Sequence, residues 1–93
     1  MMGYEFEWDA DKARSNERKH GVSFDEAATV FADRFSLNMP DPSHSDEEQR
    51  FLVLGRSIRA RLLVVAYAER GPRTRLITAR KASPTERRRY EET

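Results

Sequence analysis

The sequence contains no cysteine, and its 93 residues include only four glycines, four prolines and one tryptophan. Without cysteine the chain can form neither a disulfide framework nor a thiolate site. The longest apolar run, Leu62 to Ala66, is far too short to cross a bilayer. The acidic, aromatic N-terminus does not have the features of a secretory signal. We therefore expect a single domain over residues 1–93, located in the cytoplasm and with no membrane partner.

The motifs of several enzyme classes are absent as well. The two histidines lie far apart, and neither HExxH nor an acidic calcium-binding loop is found. There is no glycine-rich phosphate loop and no GxSxG. These absences argue against most hydrolase and nucleotide-binding classes, and we expect neither a metal ion nor a cofactor.

Charge is distributed unevenly along the chain, although the net charge is only +1. Residues 1–49 contain five Lys/Arg and twelve Asp/Glu, whereas residues 50–93 contain twelve Lys/Arg and four Asp/Glu. Eleven of the twelve cations in the second half are arginine, which suits bidentate contact with phosphate. This asymmetry indicates a basic surface for a polyanion. The alternative is that the two halves neutralise each other across the fold.

Three helices are predicted from capping signals and apolar spacing. Asp9 is a suitable N-cap for the first helix, and Gly21 offers the left-handed position that ends it. Ser23 with Glu26 forms a capping box before an apolar stripe at helical spacing. "SPTE" at residues 83–86 combines a capping box with proline at the first helical position. The predicted helices cover residues 10–20, 24–32 and 84–92.

Five strands are predicted from alternation and β-rich runs. "YEFEWD" alternates aromatic and acidic residues, as a half-buried strand does. An edge strand near residues 35–39 leads into a loop with two prolines, His44 and the acids of residues 46–48. "RFLVLGRS", "RLLVVAYAER" and "TRLITARKA" follow, separated by turns at residues 57–60 and 71–72, and predict an antiparallel meander. The order of elements indicates an α+β domain with helices packed on a mostly antiparallel sheet.

The arginine-rich sheet is the candidate for chemistry. If the last two strands pair so that Tyr67 or Glu69 shares a face with Arg80, one surface carries a phenol, a carboxylate and a guanidinium. Such a group suits RNA cleavage without metal, in which a base deprotonates the 2′-hydroxyl and guanidinium groups stabilise the phosphoryl charge. Glu69 is then the candidate base, Arg80 and Arg61 the candidate phosphate stabilisers, and Tyr67 a stacking or proton-donating group.

Each of these residues also has a structural interpretation. Glu69 could form a surface ion pair, and Tyr67 could be a core aromatic with its hydroxyl at the edge. Arg80 lies among small and apolar neighbours, which favours a functional role. His20 closes the first helix, where a cation interacts favourably with the helix dipole.

Several segments in a fixed order resemble one known family. "KHGVSF", "GRSIRARLLVV", "ER" and "ITARKASPTERRRYE" are similar to the BrnT family of type II toxins, and the resemblance extends over about residues 6–92. It implies a RelE-like ribonuclease fold with two N-terminal helices, a mostly antiparallel sheet and one C-terminal helix. By position, it implies that the active surface includes Arg61, Glu69 and Arg80, with Tyr67 beside them. We expect further RNA contacts from the basic residues Arg56, Arg59, Lys81 and Arg88.

The resemblance also implies a biological role and partners. The activity would be that of a metal-independent endoribonuclease that blocks translation. A cognate BrnA-like antitoxin with a ribbon-helix-helix domain would neutralise it, and the complex would repress its own operon by contacting operator DNA through the antitoxin. Two alternatives use the same charge pattern. One is a non-catalytic nucleic-acid-binding or co-repressor subunit, and the other is a structural subunit whose basic half neutralises an acidic protein.

Overall fold

A computed structural model describes residues 5–41 and 48–92 of the chain. Its helices are α1 (Ala10–His20), α2 (Phe24–Ala28) and α3 (Pro84–Glu91), and a 3₁₀ turn at Thr29–Ala32 continues α2. Its strands are β1 (Glu5–Glu7), β2 (Leu37–Pro40), β3 (Arg50–Arg56), β4 (Leu62–Arg70) and β5 (Arg73–Lys81). The predicted α+β class, with two N-terminal helices and one C-terminal helix, is confirmed. Residues 42–47 of the predicted loop, including His44 and two of its acids, lie outside the described residues.

The five strands form one sheet in the order β1-β5-β4-β3-β2. The meander β2 to β5 is antiparallel, as expected, whereas β1 pairs in parallel with β5 through Glu5–Glu7 and Arg73–Arg75. A β-bulge interrupts β5: Tyr67 pairs with Leu76 and Ala66 pairs with Thr78, so Ile77 has no partner in β4. The bulge reverses which residues of β5 face each side, because an extra residue shifts the two-residue alternation of the strand.

The sheet buries apolar side chains on both faces. The back face, defined by Leu63, Val65 and Tyr67 of β4, packs against the N-terminal helices through Phe24 and Ala27. The front face is defined by Leu54, Leu62 and Val64 and is partly covered by α3, which contributes Tyr90. The front cluster is the smaller of the two, so most of the core lies behind the sheet. No helix of the described residues is long and apolar enough to cross a membrane.

The helix ends follow the sequence signals, with one exception. Asp9 accepts hydrogen bonds from the N–H groups of Asp11 and Lys12, and Gly21 ends α1 with φ of 70°. At α3 the reciprocal capping box of Ser83 and Glu86 is complete. At α2, Ser23 accepts the Glu26 N–H, but the side chain of Glu26 makes other contacts. The predicted capping box is therefore only half present there.

Candidate active site

Arg80 lies on the front face of the sheet, opposite Val64, where β5 leads into α3. Its guanidinium donates two parallel hydrogen bonds to Glu86, with Nη1 to Oε1 and Nη2 to Oε2 both at 2.8 Å. Glu86 also accepts the Ser83 N–H at 2.8 Å as part of the capping box. The bond from Arg80 is the largest influence that lowers the pKa of Glu86 to about 2, so this carboxylate is ionised at neutral pH. Arg80 is therefore held in one orientation by a charged, planar partner.

A hollow of about 80 Å³ lies beside this ion pair, between α3 and the front face. Its floor is apolar and is formed by Met39, Leu52, Leu54 and Val64. Glu86 and Arg89 complete its lining from α3. The combination offers an apolar surface for a nucleobase and two nearby guanidinium groups, those of Arg80 and Arg89, for a phosphate.

Arg87, Arg88 and Arg89 of α3 point in different directions because of the geometry of the helix. Arg89 lines the hollow, whereas Arg88, the predicted RNA contact, is exposed and donates to Thr85 Oγ1 at 3.5 Å. Successive residues of a helix point about 100° apart, so neighbouring arginines cannot share one site. The RNA contact of Arg88 stays a prediction, and Arg89 is the arginine of this helix that lines the hollow.

The predicted grouping of Glu69 or Tyr67 with Arg80 on one face of the sheet is wrong. Arg80 pairs with Val64 on the front face, whereas Tyr67 belongs to the back-face core. Glu69 shares the alternation of Tyr67 and lies five residues along β4 from Val64, which is about 17 Å. The bulge at Ile77 causes the error, because an unbroken β5 would place Arg80 on the same side as Leu76.

Tyr67 and Glu69 instead contact other residues of the fold. The hydroxyl of Tyr67 donates to Asn38 Oδ1 at 2.5 Å. Its ring, only 7% exposed, stacks on Phe51 and meets Phe31 edge-on. Glu69 is exposed at the far end of β4 and accepts from Thr74 Oγ1 at 3.3 Å. Tyr67 is therefore the core aromatic of the structural interpretation.

Arg61 makes a second ion pair, on the side of the sheet that packs against α2. Its Nε donates to Glu26 Oε2 at 2.9 Å, and its Nη2 contacts both Glu26 Oε1 and the carbonyl of Gly21. Ser57 Oγ donates to the same carboxylate at 2.6 Å. The hydrogen bond from Arg61 is the main reason that the pKa of Glu26, whose side chain is 4% exposed, lies below its usual value. Arg61 and Arg80 thus lie in separate clusters.

Glu26 is the residue that sequence reasoning missed, because its position matched a capping box. The turn between β3 and β4 depends on it. Ser57, held by Glu26, also accepts the N–H groups of Arg59 and Arg61. Arg59 is exposed on this turn, 3.9 Å from Glu26. A carboxylate within an otherwise apolar helix face is the signal that could have identified a buried partner for an arginine.

Arg56 fixes the far end of α3 to β3. Its guanidinium carbon lies 5.4 Å from the centre of the Tyr90 ring, and its N–H donates to Asp33 Oδ2 at 2.8 Å. The Tyr90 hydroxyl donates to the same oxygen at 2.6 Å. Burial raises the pKa of Tyr90, and the bond to Asp33 raises it further. Lys81, the remaining predicted RNA contact, is exposed at the end of β5 opposite Leu63, so it follows the alternation of the back face.

Within residues 5–41 and 48–92, no group of three or more His, Asp or Glu side chains is placed to hold a metal ion.

Comparison with known proteins identifies the family. A family described as "Ribonuclease toxin, BrnT, of type II toxin-antitoxin system" matches residues 8–86. The crystal structure of the Brucella abortus ribonuclease toxin BrnT superposes with a TM-score of 0.67 at 20% sequence identity, covering 87% of this chain and 99% of that one. The comparison with curated proteins found no match. Because the family match spans most of the sequence and the fold agrees, the chain belongs to the BrnT family of ribonuclease toxins of type II toxin–antitoxin systems.

Proposed function

We propose that this BrnT-family toxin, as one domain over residues 1–93, cleaves RNA at the front face of its sheet, with Arg80 at the scissile phosphate. The observation that supports this site is the bidentate pair of Arg80 and Glu86 beside the apolar hollow. A guanidinium fixed by an ionised carboxylate loses little conformational freedom when it meets a phosphate. Arg89, which lines the hollow from α3 as Glu86 does, supplies a second cation.

The proposed reaction needs no metal ion. The 2′-hydroxyl oxygen of one nucleotide gives up its proton to solvent water and attacks the adjacent phosphorus. The bond from that phosphorus to the 5′ oxygen of the next nucleotide breaks, and this oxygen takes up a proton from water. Negative charge grows on the non-bridging phosphoryl oxygens, where Arg80 and Arg89 stabilise it. DNA lacks the attacking group and is not a substrate.

The other predicted residues take different parts in this proposal. Arg56, Arg59, Lys81 and Arg88 remain candidate contacts for flanking phosphates, because all four are exposed. Arg61 organises the turn that carries Arg59, through Glu26 and Ser57. Glu69 and Tyr67 are left out of the chemistry, since one lies about 17 Å along the sheet and the other in the back-face core.

Membership of a type II toxin–antitoxin family implies an antitoxin partner. We propose that this partner has a ribbon-helix-helix domain and neutralises the toxin in the cytoplasm. In the complex it would contact operator DNA and repress the shared operon. RNA cleavage would account for inhibition of translation when the antitoxin is missing.

Cleavage of a defined single-stranded RNA in the presence of EDTA tests the site. Arg80→Ala should slow cleavage by about a hundredfold, the usual effect of removing one group that stabilises transition-state charge. Arg80→Lys should be nearly as slow, because lysine keeps the charge but cannot form the bidentate pair. Glu69→Ala is the matched control and should cleave at the wild-type rate.

Folding of each variant is verified by circular dichroism before the rates are compared. A normal rate for a folded Arg80→Ala variant would show that the site lies elsewhere. If folded wild-type protein binds RNA but leaves it intact, the alternative of a non-catalytic nucleic-acid-binding or co-repressor subunit replaces the enzyme.

A further inference from the structure

A second hollow, of about 220 Å³, lies at the edge of the sheet next to α1. Strand β1 pairs only with Arg73–Arg75, so it does not extend along the later part of β5. The bulge at Ile77 falls in this later part. The hollow is lined by Lys12, Ser15, Asn16, Lys19, His20, Ile77 and Thr78. Neither the sequence motifs nor the front-face site accounts for this group of residues.

Asn16 holds α1 against the edge of β5. Its side chain is buried, and its Nδ2 donates to the carbonyls of Ala79 and Val22 at 2.9 and 3.0 Å. The N–H of Ala79 donates back to Asn16 Oδ1 at 3.0 Å. The amide therefore bonds the strand as a neighbouring strand would, and it fixes the distance between α1 and β5.

The basic residues of α1 are divided between two sides of the helix. At about 100° per residue, Lys12, Lys19 and His20 fall within one arc, which faces the hollow. Arg14 and Arg18 fall on the opposite arc and do not line it. Two lysines of α1 therefore line the hollow and make it positively charged.

The hollow lies near the proposed cleavage site along β5. Thr78 lines the hollow and pairs with Ala66, next to the pair of Val64 and Arg80. Thr78 and Arg80 are two residues apart on one strand, and hence about 7 Å apart on the front face. Lys12 and Lys19 line the hollow together with Thr78, and Thr78 precedes Arg80 on the same face of β5, which outlines the proposed RNA path. The positive charge along this part of the surface suits the negatively charged backbone of a single RNA strand.

We propose that this edge hollow is a phosphate-binding subsite for the RNA strand that flanks the scissile phosphate. Lys12 and Lys19 contact one phosphate each, and Thr78 separates them from the cleavage site. This inference rests on the proposed function, because the strand must already be bound at Arg80. The subsite contributes to affinity for long substrates and takes no part in the chemical step.

The test is the salt dependence of binding to a single-stranded RNA that cannot be cleaved. Ribose 2′-O-methylation throughout the oligonucleotide removes the attacking group. For single strands, the logarithm of the association constant falls against the logarithm of salt concentration by about 0.7 per phosphate contact. Lys12→Gln/Lys19→Gln should therefore reduce the slope by about 1.4. The matched control Arg14→Gln/Arg18→Gln changes net charge equally and should leave the slope unchanged.

Cleavage assays separate this inference from the proposed function. With a long unmodified RNA, the Lys12→Gln/Lys19→Gln variant should show a raised KM and an unaltered kcat, and a dinucleotide substrate should be cleaved as by wild type. Equal slopes for the two double variants, with wild-type cleavage intact, would overturn the subsite alone. Loss of cleavage in folded wild-type protein would instead overturn the proposed function.

Discussion

At the scale of single residues, the ion pair of Arg80 and Glu86 has a consequence for stability. The pKa of Glu86 lies at about 2 in the folded protein, below the ordinary value of 4.5, mainly because of the hydrogen bond from Arg80. A carboxylate with a depressed folded pKa contributes stability above its unfolded pKa. That contribution is lost as pH falls through the folded value. Glu86→Gln should therefore cost stability at neutral pH and progressively less as pH falls from about 4.5 toward 2.

The size of this effect is modest because solvent screens the pair. Glu86 and Arg80 side chains are 29% and 42% exposed, so we expect a loss of about 1 to 2 kcal/mol at neutral pH. Urea unfolding at several pH values, followed by circular dichroism, measures it. Glu91→Gln, at an exposed position of the same helix, is the control and should stay within about 0.5 kcal/mol throughout. A Glu86→Gln deficit that does not shrink in acid would contradict the assigned pairing.

Residue roles were predictable where they depend on local sequence. The caps Asp9, Gly21 and Ser83 depend on neighbours a few positions away, and the structure has all three as expected. The partner of Arg61 was not predictable, because Glu26 lies 35 residues earlier and meets it only in the folded chain. Its local position, three residues after Ser23, indicated a different role.

At the scale of elements, the bulge in β5 determines which side chains reach the front face. Without Ile77, Leu76 and Thr78 would be consecutive and would still pair with Tyr67 and Ala66. Deletion of Ile77 should therefore preserve the faces, and cooperative unfolding should persist with a loss below about 2 kcal/mol. Deletion of Leu52 in β3 is the control. That strand pairs with β4 without a bulge, so the deletion moves the residues on one side of it to the opposite face of the sheet.

Urea unfolding and two-dimensional NMR spectra of the two deletion variants provide the comparison. Dispersed spectra for the Ile77 deletion and collapsed spectra for the Leu52 deletion are expected. If the Ile77 deletion is the one that collapses, the bulge contributes to folding in a way that pairing does not explain.

The bounds of helices and strands were predicted more accurately than the faces and pairing of the strands. The bounds of α1 agree with the expectation, and α3 ends within one residue of it, because both helices have strong start signals. The faces of β5 were assigned wrongly after Leu76. The bulge shows in the burial of the folded strand, since Leu76 and Ala79 are both buried although they lie three positions apart. The parallel pairing of β1 has no local signal, because the strand is three residues long and its partner lies almost seventy positions away.

At the scale of the whole molecule, the acidic first half and the basic second half are partly paired with each other. Glu26 meets Arg61, Glu7 meets Arg75, and Glu48 meets Arg70. Some arginines that the sequence assigned to a polyanion are therefore paired with carboxylates of the same chain. The cations of the proposed RNA path come from both halves, with Lys12 and Lys19 from the acidic one. Segment charge alone therefore could not locate the path, which depends on how α1 packs against β5.

The proposed reaction determines the chemistry of the RNA ends. Attack by the 2′-hydroxyl leaves a cyclic phosphate bridging the 2′ and 3′ oxygens on one product and a free 5′-hydroxyl on the other. Metal-activated water would leave linear phosphate ends instead. Mass spectrometry of the products from one defined RNA distinguishes the two. A single 2′-deoxy nucleotide at the cleaved position should stop cleavage there, whereas the same change one nucleotide away should leave it intact. Because both outcomes depend only on the attacking group, a 5′-phosphate end or cleavage at the deoxy position would contradict the mechanism even if Arg80 proves essential.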